Sequence, residues 1–417
     1  MNPTRRQLIL GTAAALCTPA LLAGPARPAV IVVGGGWGGL AAARRLAAHC
    51  DVLLIERSPA FVSLPLSNRW LAGRDDGRRL RQDYRATAAA LGYRFLQAEV
   101  LGIERDARRV ETSAGSIGYD WLIVAAGIGE DDAALFAGDQ EAARQARQLF
   151  ASAYTADAAL GQLKEKIANF TQGEFLLSLP PAPYRCPPAP YERAVIIAQA
   201  IKSKNLKAHL TVVEPNAPWP AYQRVFNEMF RDQVTYLPNT RLRQLDPQRR
   251  IATLDIDEIR FTEAIVMPPQ QAAPLCRTAG LCGAESVWAA VEPRSFQYRE
   301  DERIFVVGDS VGAVSPIFGH YPKTGQIAAR MGQIAADEIL ARSTGKPSEP
   351  SLPESTCFAY LSLEPAQFTR IENRYRVRGD GVLLQNISQQ RENNPQGEDD
   401  AWLDAWHATL FGPAVRR

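Results

Sequence analysis

The chain has few of the residues that bind metals or attach haem. Its four histidines, His49, His209, His320 and His407, are scattered without ligand spacing, so we expect no metal site. The sequence lacks a C-x-x-C-H motif, so this chain is not expected to attach a c-type haem. A net charge of only +2 does not favour nucleic acid. Beyond the N-terminus, no apolar run is long enough to predict stable membrane insertion.

The N-terminus carries a pattern typical of an export signal. Arg5 and Arg6 precede a mildly apolar stretch over residues 8–22, and a small-residue segment follows at 23–26. The stretch is shorter than the roughly 20 residues that a membrane span requires. We therefore predict that residues 1–26 form a twin-arginine signal peptide, removed together with Cys17. The expected destination is the periplasm, where disulfides persist.

A glycine-rich turn follows the first predicted strand, which spans residues 29–33. A helix over 40–48 and a strand over 52–56 come next. Glycines in such a turn let backbone N–H groups approach a pyrophosphate, and an acid after the second strand receives the ribose hydroxyls. The residues on this template are Gly34, Gly36, Gly39 and Glu56. Since all the elements are in register, a dinucleotide site is favoured over a plain glycine turn.

Later segments indicate that the dinucleotide is FAD. A strand over 119–127 ends in small residues, as where flavin folds pass close to the nucleotide. Another, over 303–309, ends in Gly-Asp, and a helix to about residue 340 then begins. Such an aspartate binds the ribityl and phosphate region, although it can also cap a helix, and the helix N-terminus faces the flavin with its partial positive charge. The residues predicted to contact FAD are Val100 (on the adenine side), Gly127, Gly308, Asp309, Lys323 and Thr324.

The second glycine-rich turn of a two-nucleotide enzyme is missing. A strand over 174–179, a helix over 194–204 and a strand over 208–214 keep the β-turn-α frame. The turn reads YRCPPAPYER (184–193), with prolines where an NADH pyrophosphate needs glycines. We therefore predict no NADH site, and Cys186 stands in its place.

Spacing alone does not assign the remaining cysteines. The C-x-x-x-x-C pair of disulfide reductases is absent from the helix after the first glycine turn, and Cys50 is expected to be a buried small hydrophobe. Cys276 and Cys282 are predicted to be structural or to form a local disulfide. Cys186 and Cys357 are too far apart in sequence to be paired by their spacing.

The chain resembles the flavoprotein subunit of flavocytochrome c sulfide dehydrogenase over nearly all of its predicted mature length. The CPPxPYER run is specific to that family, whereas the glycine and Gly-Asp motifs occur in all flavoproteins of the pyridine-nucleotide-disulfide type. The matching segments are VVGGGWGGLAAA (32–43), LSNRWLAG (66–73), YRCPPAPYERA (184–194), PPQ (268–270), VVGDS (306–310), PKTG (322–325), STCFAYL (355–361) and WLDAWHATLFG (402–412).

The resemblance implies a redox-active disulfide beside the flavin, between Cys186 and Cys357. It further implies that sulfide attacks this disulfide and that electrons leave through the flavin to a c-type cytochrome, either a haem subunit or a soluble acceptor. The family's acid–base carboxylate falls on Glu192, and an aromatic residue near the flavin on Trp402. From the residues alone, a structural disulfide is the alternative for the two cysteines, and a first-turn glutamate that offsets the helix dipole is the alternative for Glu192.

The sequence departs from the family at two places. Leu64 stands where the family has the cysteine that attaches the flavin covalently, so we predict non-covalent FAD. The segment 309–322 is longer than in the family and includes Pro316, Phe318, Gly319 and His320 near the flavin. Because this loop can reshape substrate access or cytochrome docking, the sulfur substrate stays open.

The predicted fold is α/β, with two interleaved Rossmann-like domains and a small C-terminal α+β domain. Residues 28–145 and 275–342 are expected to form the FAD-binding domain, 146–274 the second Rossmann-like domain, and 343–417 the C-terminal domain. Three functions remain open: a periplasmic sulfide:cytochrome c oxidoreductase, a sulfide:quinone oxidoreductase, or a non-catalytic flavin-binding accessory protein of sulfur oxidation. The missing second glycine turn disfavours an NADH dehydrogenase.

Overall fold

The computed structural model of the protein describes residues 27–150, 154 and 158–412, so the predicted signal peptide and Cys17 lie outside the described residues. The strands are β1 (Ala29–Val33), β2 (Asp51–Glu56), β3 (Ala60–Val62), β4 (Arg81–Asp83), β5 (Arg94–Gln97), β6 (Val100–Glu104), β7 (Arg109–Thr112), β8 (Gly115–Gly118), β9 (Trp121–Val124), β10 (Ile128–Glu130), β11 (Gln172–Ser178), β12 (Lys207–Val213), β13 (Val234–Leu237), β14 (Gln244–Asp246), β15 (Ile251–Thr253), β16 (Glu258–Arg260), β17 (Glu263–Val266), β18 (Gln270–Ala272), β19 (Ile304–Val306), β20 (Ser355–Leu363), β21 (Ala366–Val377) and β22 (Leu383–Glu392). The helices are α1 (Trp37–Leu46), α2 (Ser67–Leu71), α3 (Tyr84–Leu91), α4 (Ala133–Phe136), α5 (Gln140–Leu149), α6 (Ala158–Asn169), α7 (Ala189–Ser203), α8 (Pro220–Met229), α9 (Pro274–Thr278), α10 (Gly325–Thr344) and α11 (Glu398–Phe411).

The first sheet contains five parallel strands in the order β19-β9-β1-β2-β5. Its central strand β1 is apolar throughout, as expected for a parallel strand covered on both faces. Strand β19 pairs with β9, although the strands of the second sheet lie between them in the chain. The first sheet is therefore built from two separate stretches of the chain. Helices α1 and α10 pack closely, because a Cβ on Gly332 would lie 2.1 Å from the Gly38 carbonyl oxygen. Ligands of such sheets bind at the carboxyl ends of the strands.

The second sheet is parallel, in the order β13-β12-β11-β17, and α7 lies between β11 and β12 in the chain. The predicted helix over 194–204 is observed from Ala189 to Ser203. The sequence-based start was wrong by five residues because proline is well accommodated in a first helical turn, where its missing N–H would be unpaired anyway. This earlier start places Glu192 in the first turn of α7.

The C-terminal part of the described chain forms an antiparallel sheet in the order β20-β21-β22, followed by α11, which packs against α1. Smaller sheets are formed by β6-β7-β8, β14-β15-β16, β3-β4 and β10-β18. The predicted α/β class with two Rossmann-like units is confirmed, whereas the domain boundaries stay predictions. Among the helices of the described residues, none is long and apolar enough to span a membrane.

Candidate active site at the start of helix α10

The first glycine turn has the shape that a pyrophosphate requires. Gly34 has a φ of +97°, and a Cβ there would lie 2.4 Å from the Ala125 carbonyl oxygen. A Cβ on Gly39 would lie 1.9 Å from the Gly34 carbonyl oxygen, so this glycine is required for packing. Gly36 faces open space, and no side chain caps the start of α1 there. The amide groups at this helix end are therefore available to an anion.

Two side chains hold the glycine turn in place. The Glu56 carboxylate accepts hydrogen bonds from the N–H groups of Gly35 and Ser58, at 2.8 and 2.9 Å. Tyr84 donates its hydroxyl hydrogen to the Gly35 carbonyl at 2.7 Å. Glu56 thus lies beside the turn where the sequence placed it, and its contact with ribose stays a prediction. Tyr84 was missed, since nothing in the local pattern links it to a turn 49 residues earlier.

Asp309 lies at the centre of a buried polar cluster beyond strand β19. Its Oδ2 accepts a hydrogen bond from Arg185 Nε at 2.6 Å, whereas its buried Oδ1 has no partner among the described residues. Lys323 donates from Nζ to the Asp309 and Val311 carbonyls at 2.8 and 2.9 Å. Burial lowers the pKa of Lys323 to about 7. Gly127 belongs to the same cluster, because a Cβ there would lie 2.7 Å from an Arg185 nitrogen.

The donors and acceptors present fit a bound FAD. The unpartnered Asp309 Oδ1 is an acceptor for a ribityl hydroxyl, and the open side of Gly36 accommodates a phosphate. Gly308, Asp309 and Lys323 line one narrow cavity. Val100 begins β6, outside the five-stranded sheet, and its predicted place on the adenine side stays a prediction. Thr324 caps α10 by accepting from the Ile327 N–H, at 3.3 Å between heavy atoms.

Gln326, in the first turn of α10, connects two parts of the site that are distant in sequence. Its Oε1 accepts hydrogen bonds from the Thr356 N–H and from Trp402 Nε1, both at 3.0 Å. Thr356 precedes Cys357 on β20, and the Trp402 ring is stacked on Trp37 with 6.1 Å between centroids. Gln326 was not singled out from the sequence, because its role depends on the C-terminal segments that fold back onto α10.

Cys186 adopts a left-handed backbone conformation, with a φ of +48°, and its N–H donates to the Lys323 carbonyl at 2.7 Å. Cys357 lies on β20, and its thiol is close enough to interact electrostatically with Cys186 and Glu192. Both thiols are half-buried. Burial, with a smaller contribution from Glu192, raises the pKa of Cys186 to about 12, and burial also raises that of Cys357. The structure thus brings the two cysteines together at the start of α10.

The predicted disulfides are not formed in this structure. Cys186 and Cys357 are separate thiols, and burial favours the protonated form of each. Their pairing therefore stays a prediction from the family resemblance. Cys276 and Cys282 are also separate thiols, which agrees with the structural alternative predicted for them and not with a local disulfide. Cys276 is fully buried, so it has a packing role, and Cys50 is buried as expected.

Glu192 joins the two cysteine-bearing elements. Only 7% of it is exposed, and its Oε1 accepts from the Tyr360 N–H on β20 at 2.9 Å. Its Oε2 accepts from Asn68 Nδ2 at 3.0 Å. Burial raises its pKa to about 7, although both hydrogen bonds act in the opposite direction. A carboxyl group with this pKa can both release and take up a proton near neutral pH, as acid–base catalysis requires.

Replacing Glu192 by glutamine should remove a pH dependence of folding stability. The carboxyl pKa is about 7 in the folded state against an ordinary value of 4.5. The folded protein therefore holds an extra proton between these values, and its stability falls as the pH rises through them. The stability of Glu192→Gln relative to the parent should thus rise by about 3 kcal/mol across this window.

Urea unfolding of both proteins at several pH values measures this difference. The Asn68 Oδ1 has no partner among the described residues, so a turned amide can accept from the glutamine and keep the variant folded. Lys323 titrates in both proteins, and its contribution cancels in the comparison. If the difference in free energy of unfolding between the two proteins does not vary with pH, Glu192 does not hold an extra proton in the folded state.

The long loop before Pro322 packs against the C-terminal sheet. The Val314 N–H donates to the Gly319 carbonyl at 2.7 Å, and Ser315 Oγ donates to the Leu383 carbonyl at 2.8 Å. The Tyr321 ring, which also lines the cavity beside Asp309, meets Tyr375 edge-on at 4.8 Å. The loop thus connects the Asp309 cavity to β21 and β22.

Two family matches cover adjoining parts of the chain. Residues 28–168 match the pyridine nucleotide-disulphide oxidoreductase family. Residues 161–268 match the central region of the sulfide dehydrogenase [flavocytochrome c] flavoprotein chain. The second match includes the Cys186 turn, Glu192 and the whole of α7.

Solved structures show the same fold. A sulfide:quinone oxidoreductase from Aquifex aeolicus superposes with a TM-score of 0.72 at 20% identity, covering 93% of this chain and 92% of that chain. An NAD-dependent persulfide reductase from A. fulgidus gives 0.62 at 16% identity, covering 91% and 77%. A ferredoxin reductase from Rhodopseudomonas palustris gives 0.63 at 15%, covering 86% and 91%. The chain therefore has the fold of these flavin oxidoreductases, its residues 28–168 are similar to the pyridine nucleotide-disulphide oxidoreductase family, and its central region, 161–268, is similar to the flavoprotein chain of flavocytochrome c sulfide dehydrogenase.

Proposed function

We propose that the protein is a periplasmic FAD-dependent sulfide:cytochrome c oxidoreductase in which sulfide attacks a disulfide between Cys186 and Cys357. The observation that supports this proposal is that Cys186, Cys357 and Glu192 lie close together beside the start of α10. The same segment supplies Lys323, which contacts both the Cys186 N–H and the Asp309 carbonyl. This arrangement supports a reaction centre for sulfur directly beside a flavin site.

The proposed sulfur chemistry uses groups of this chain. Hydrosulfide forms a new S–S bond with one cysteine of the disulfide, and the original S–S bond breaks. The attacked cysteine becomes a persulfide, and the other leaves as a thiolate that takes a proton from Glu192. Bound FAD would supply a two-electron acceptor that can release electrons singly to haem. Gly36, Asp309 and Lys323 are the residues proposed to hold it.

A c-type cytochrome is the proposed acceptor, as a haem subunit or as a soluble protein. The matched family is a flavocytochrome c, which supports this choice. Export through the twin-arginine pathway to the periplasm is proposed from Arg5 and Arg6, which lie outside the described residues. A quinone acceptor would favour an apolar C-terminal surface, but α11 buries Leu403, Trp406 and Leu410.

Anaerobic titration with sulfide, followed at the flavin absorbance, tests the proposal. We expect sulfide to bleach the flavin and NADH to leave it oxidised, because the second glycine turn is absent. Cytochrome c should then reoxidise the flavin faster than a water-soluble quinone does. Faster reoxidation by the quinone would favour a sulfide:quinone oxidoreductase. No bleaching by sulfide would favour a non-catalytic flavin-binding accessory protein of sulfur oxidation.

Non-covalent attachment of FAD is proposed from Leu64. This residue is half-buried against apolar side chains of the second unit, and it has no atom that can bond covalently to a flavin. Acid denaturation of the purified protein should therefore release a yellow supernatant. The precipitated protein should be colourless, and absorbance spectra of both fractions measure the distribution. Flavin that stays with the precipitate would show covalent attachment elsewhere in the chain.

A further inference from the structure

Arg193 is a buried cation whose N–H groups are incompletely hydrogen-bonded among the described residues. Only 2% of it is exposed, and neither Nε nor Nη1 has a hydrogen-bond partner in the described part of the protein. Removing a guanidinium from water is costly unless its N–H groups and charge are compensated. The N–H groups at Nε and Nη1 of Arg193 are therefore buried and lack an acceptor among the described residues.

Neighbouring groups do not supply that acceptor. The Glu192 carboxylate attracts the Arg193 charge, but its oxygens accept from the Tyr360 N–H and from Asn68, and Nε and Nη1 of Arg193 donate to neither oxygen. The Tyr154 ring lies 5.9 Å from the guanidinium carbon and covers it as an aromatic surface. No salt bridge to Arg193 occurs within residues 27–150, 154 and 158–412.

Cys186 is the site thiol with which Arg193 interacts electrostatically. Its carbonyl accepts from the Ala189 N–H, so the Cys186 turn leads directly into α7, of which Arg193 is the fifth residue. Electrostatic interaction between Arg193 and Cys186 is favourable to a negative charge at that cysteine. For Cys357 the corresponding interactions come from Cys186 and Glu192 instead. The positive charge of Arg193 therefore stabilises a negative charge at Cys186, whereas it is not among the groups that act on Cys357.

We propose that Arg193 binds an anionic sulfur nucleophile beside Cys186 and directs its attack to that cysteine. This inference rests on the proposed function and names its substrate form, a small monoanion such as hydrosulfide. The new S–S bond forms at Cys186 and the bond to Cys357 breaks. The electron pair leaves on Cys357 Sγ, which takes its proton from Glu192. Cys186 becomes the persulfide, and Arg193 is a positioning residue that remains unchanged.

Alkylation of the reduced full-length protein by two reagents tests the proposal without any sulfide turnover. Iodoacetate is a monoanion and iodoacetamide is its neutral analogue. The ratio of their rates at each cysteine, measured by peptide mass spectrometry, reports anion binding beside that thiol. Changes in thiolate content or in local packing affect both reagents and cancel in the ratio. In the parent, we expect the ratio at Cys186 to exceed that at Cys357 about tenfold, as for a hydrogen bond to a charged group.

Variants of Arg193 should change this ratio in a defined way. Arg193→Gln should lower the ratio at Cys186 about tenfold and leave the ratio at Cys357 unchanged. Arg193→Lys should retain most of the preference, because it keeps the charge. Arg277→Gln is the matched control: Arg277 acts on Cys282 and donates to the Ala272 carbonyl at 2.7 Å, so the Cys186 ratio should stay at the parental value.

Two results would overturn the inference. One is equal ratios at Cys186 and Cys357 in the parent, which needs no variant to fold. The other is a ratio at Cys186 that survives Arg193→Gln. A parent that shows the predicted ratios but does not react with sulfide would refute the proposed function while leaving the anion site at Arg193 in place.

Discussion

Replacement of Cys186 by serine is expected to slow reduction of the bound flavin by sulfide by at least about a thousandfold, because a hydroxyl cannot form a persulfide or a disulfide. The backbone contacts of this position should survive, since the Cys186 N–H donates to the Lys323 carbonyl and its carbonyl accepts from the Ala189 N–H. The variant should therefore retain its flavin. Anaerobic stopped-flow absorbance after mixing with sulfide measures the rate.

Cys282→Ser is the matched control for this prediction. Cys282 is also a half-buried free thiol, but it pairs through its backbone with Ala289, and the charged group that acts on it is Arg277. Its replacement should leave the rate within about twofold of the parental value, as expected for a change with no role in the chemistry. Undiminished bleaching in Cys186→Ser would show that sulfide reduces the flavin without this cysteine.

A single methyl group at Gly36 is expected to remove the flavin without unfolding the protein. A Cβ at this position meets no atom within 4 Å, and the φ of −69° is one that alanine adopts readily. The open space is where a pyrophosphate would approach the N-terminus of α1, so the methyl group occupies the place of the ligand. Gly36→Ala should be purified with far less than one flavin per chain, measured by absorbance, and with a far-ultraviolet circular dichroism spectrum like that of the parent.

Variants at two other glycines separate a blocked phosphate site from a general loss of folding stability. Gly161 in α6 is equally open around its Cβ position, so Gly161→Ala should keep the full flavin content. A Cβ on Gly39 would lie 1.9 Å from the Gly34 carbonyl oxygen, so Gly39→Ala should lose both the flavin and stability. Full flavin content in Gly36→Ala would mean that no phosphate lies at this turn.

The parts of the fold that rest on short segments of sequence were predictable. Strand β1 was predicted at the residues where it occurs, because a central parallel strand is apolar at every position. The glycine turn after it was equally clear, since only glycine fits both the φ of Gly34 and the close packing at Gly39. Each of these two patterns lies within a few consecutive residues, so it can be recognised without knowing the rest of the fold.

The contacts that assemble the site were not predictable in the same way. Glu192 is hydrogen-bonded to Tyr360, 168 residues later, and Gln326 to Trp402, 76 residues later. Composition and periodicity carry no information about which distant segments meet. The pairing of Cys186 with Cys357 came only from the family resemblance, and Arg193 was missed because an arginine near the start of a helix is ordinary until its burial is known.

The two hydrogen bonds accepted by Gln326 have a consequence for the order in which the molecule matures. They join α10 to β20 and to α11, which ends at residue 411, so the site needs segments from almost the whole chain. Contacts between residues so distant in sequence form late in folding. We therefore expect a growing chain on the ribosome to contain Cys186 for most of its synthesis without a working reaction centre. Under the proposed function, Cys186 therefore becomes reactive toward sulfide only after Trp402 of α11 has formed its hydrogen bond with Gln326 of α10.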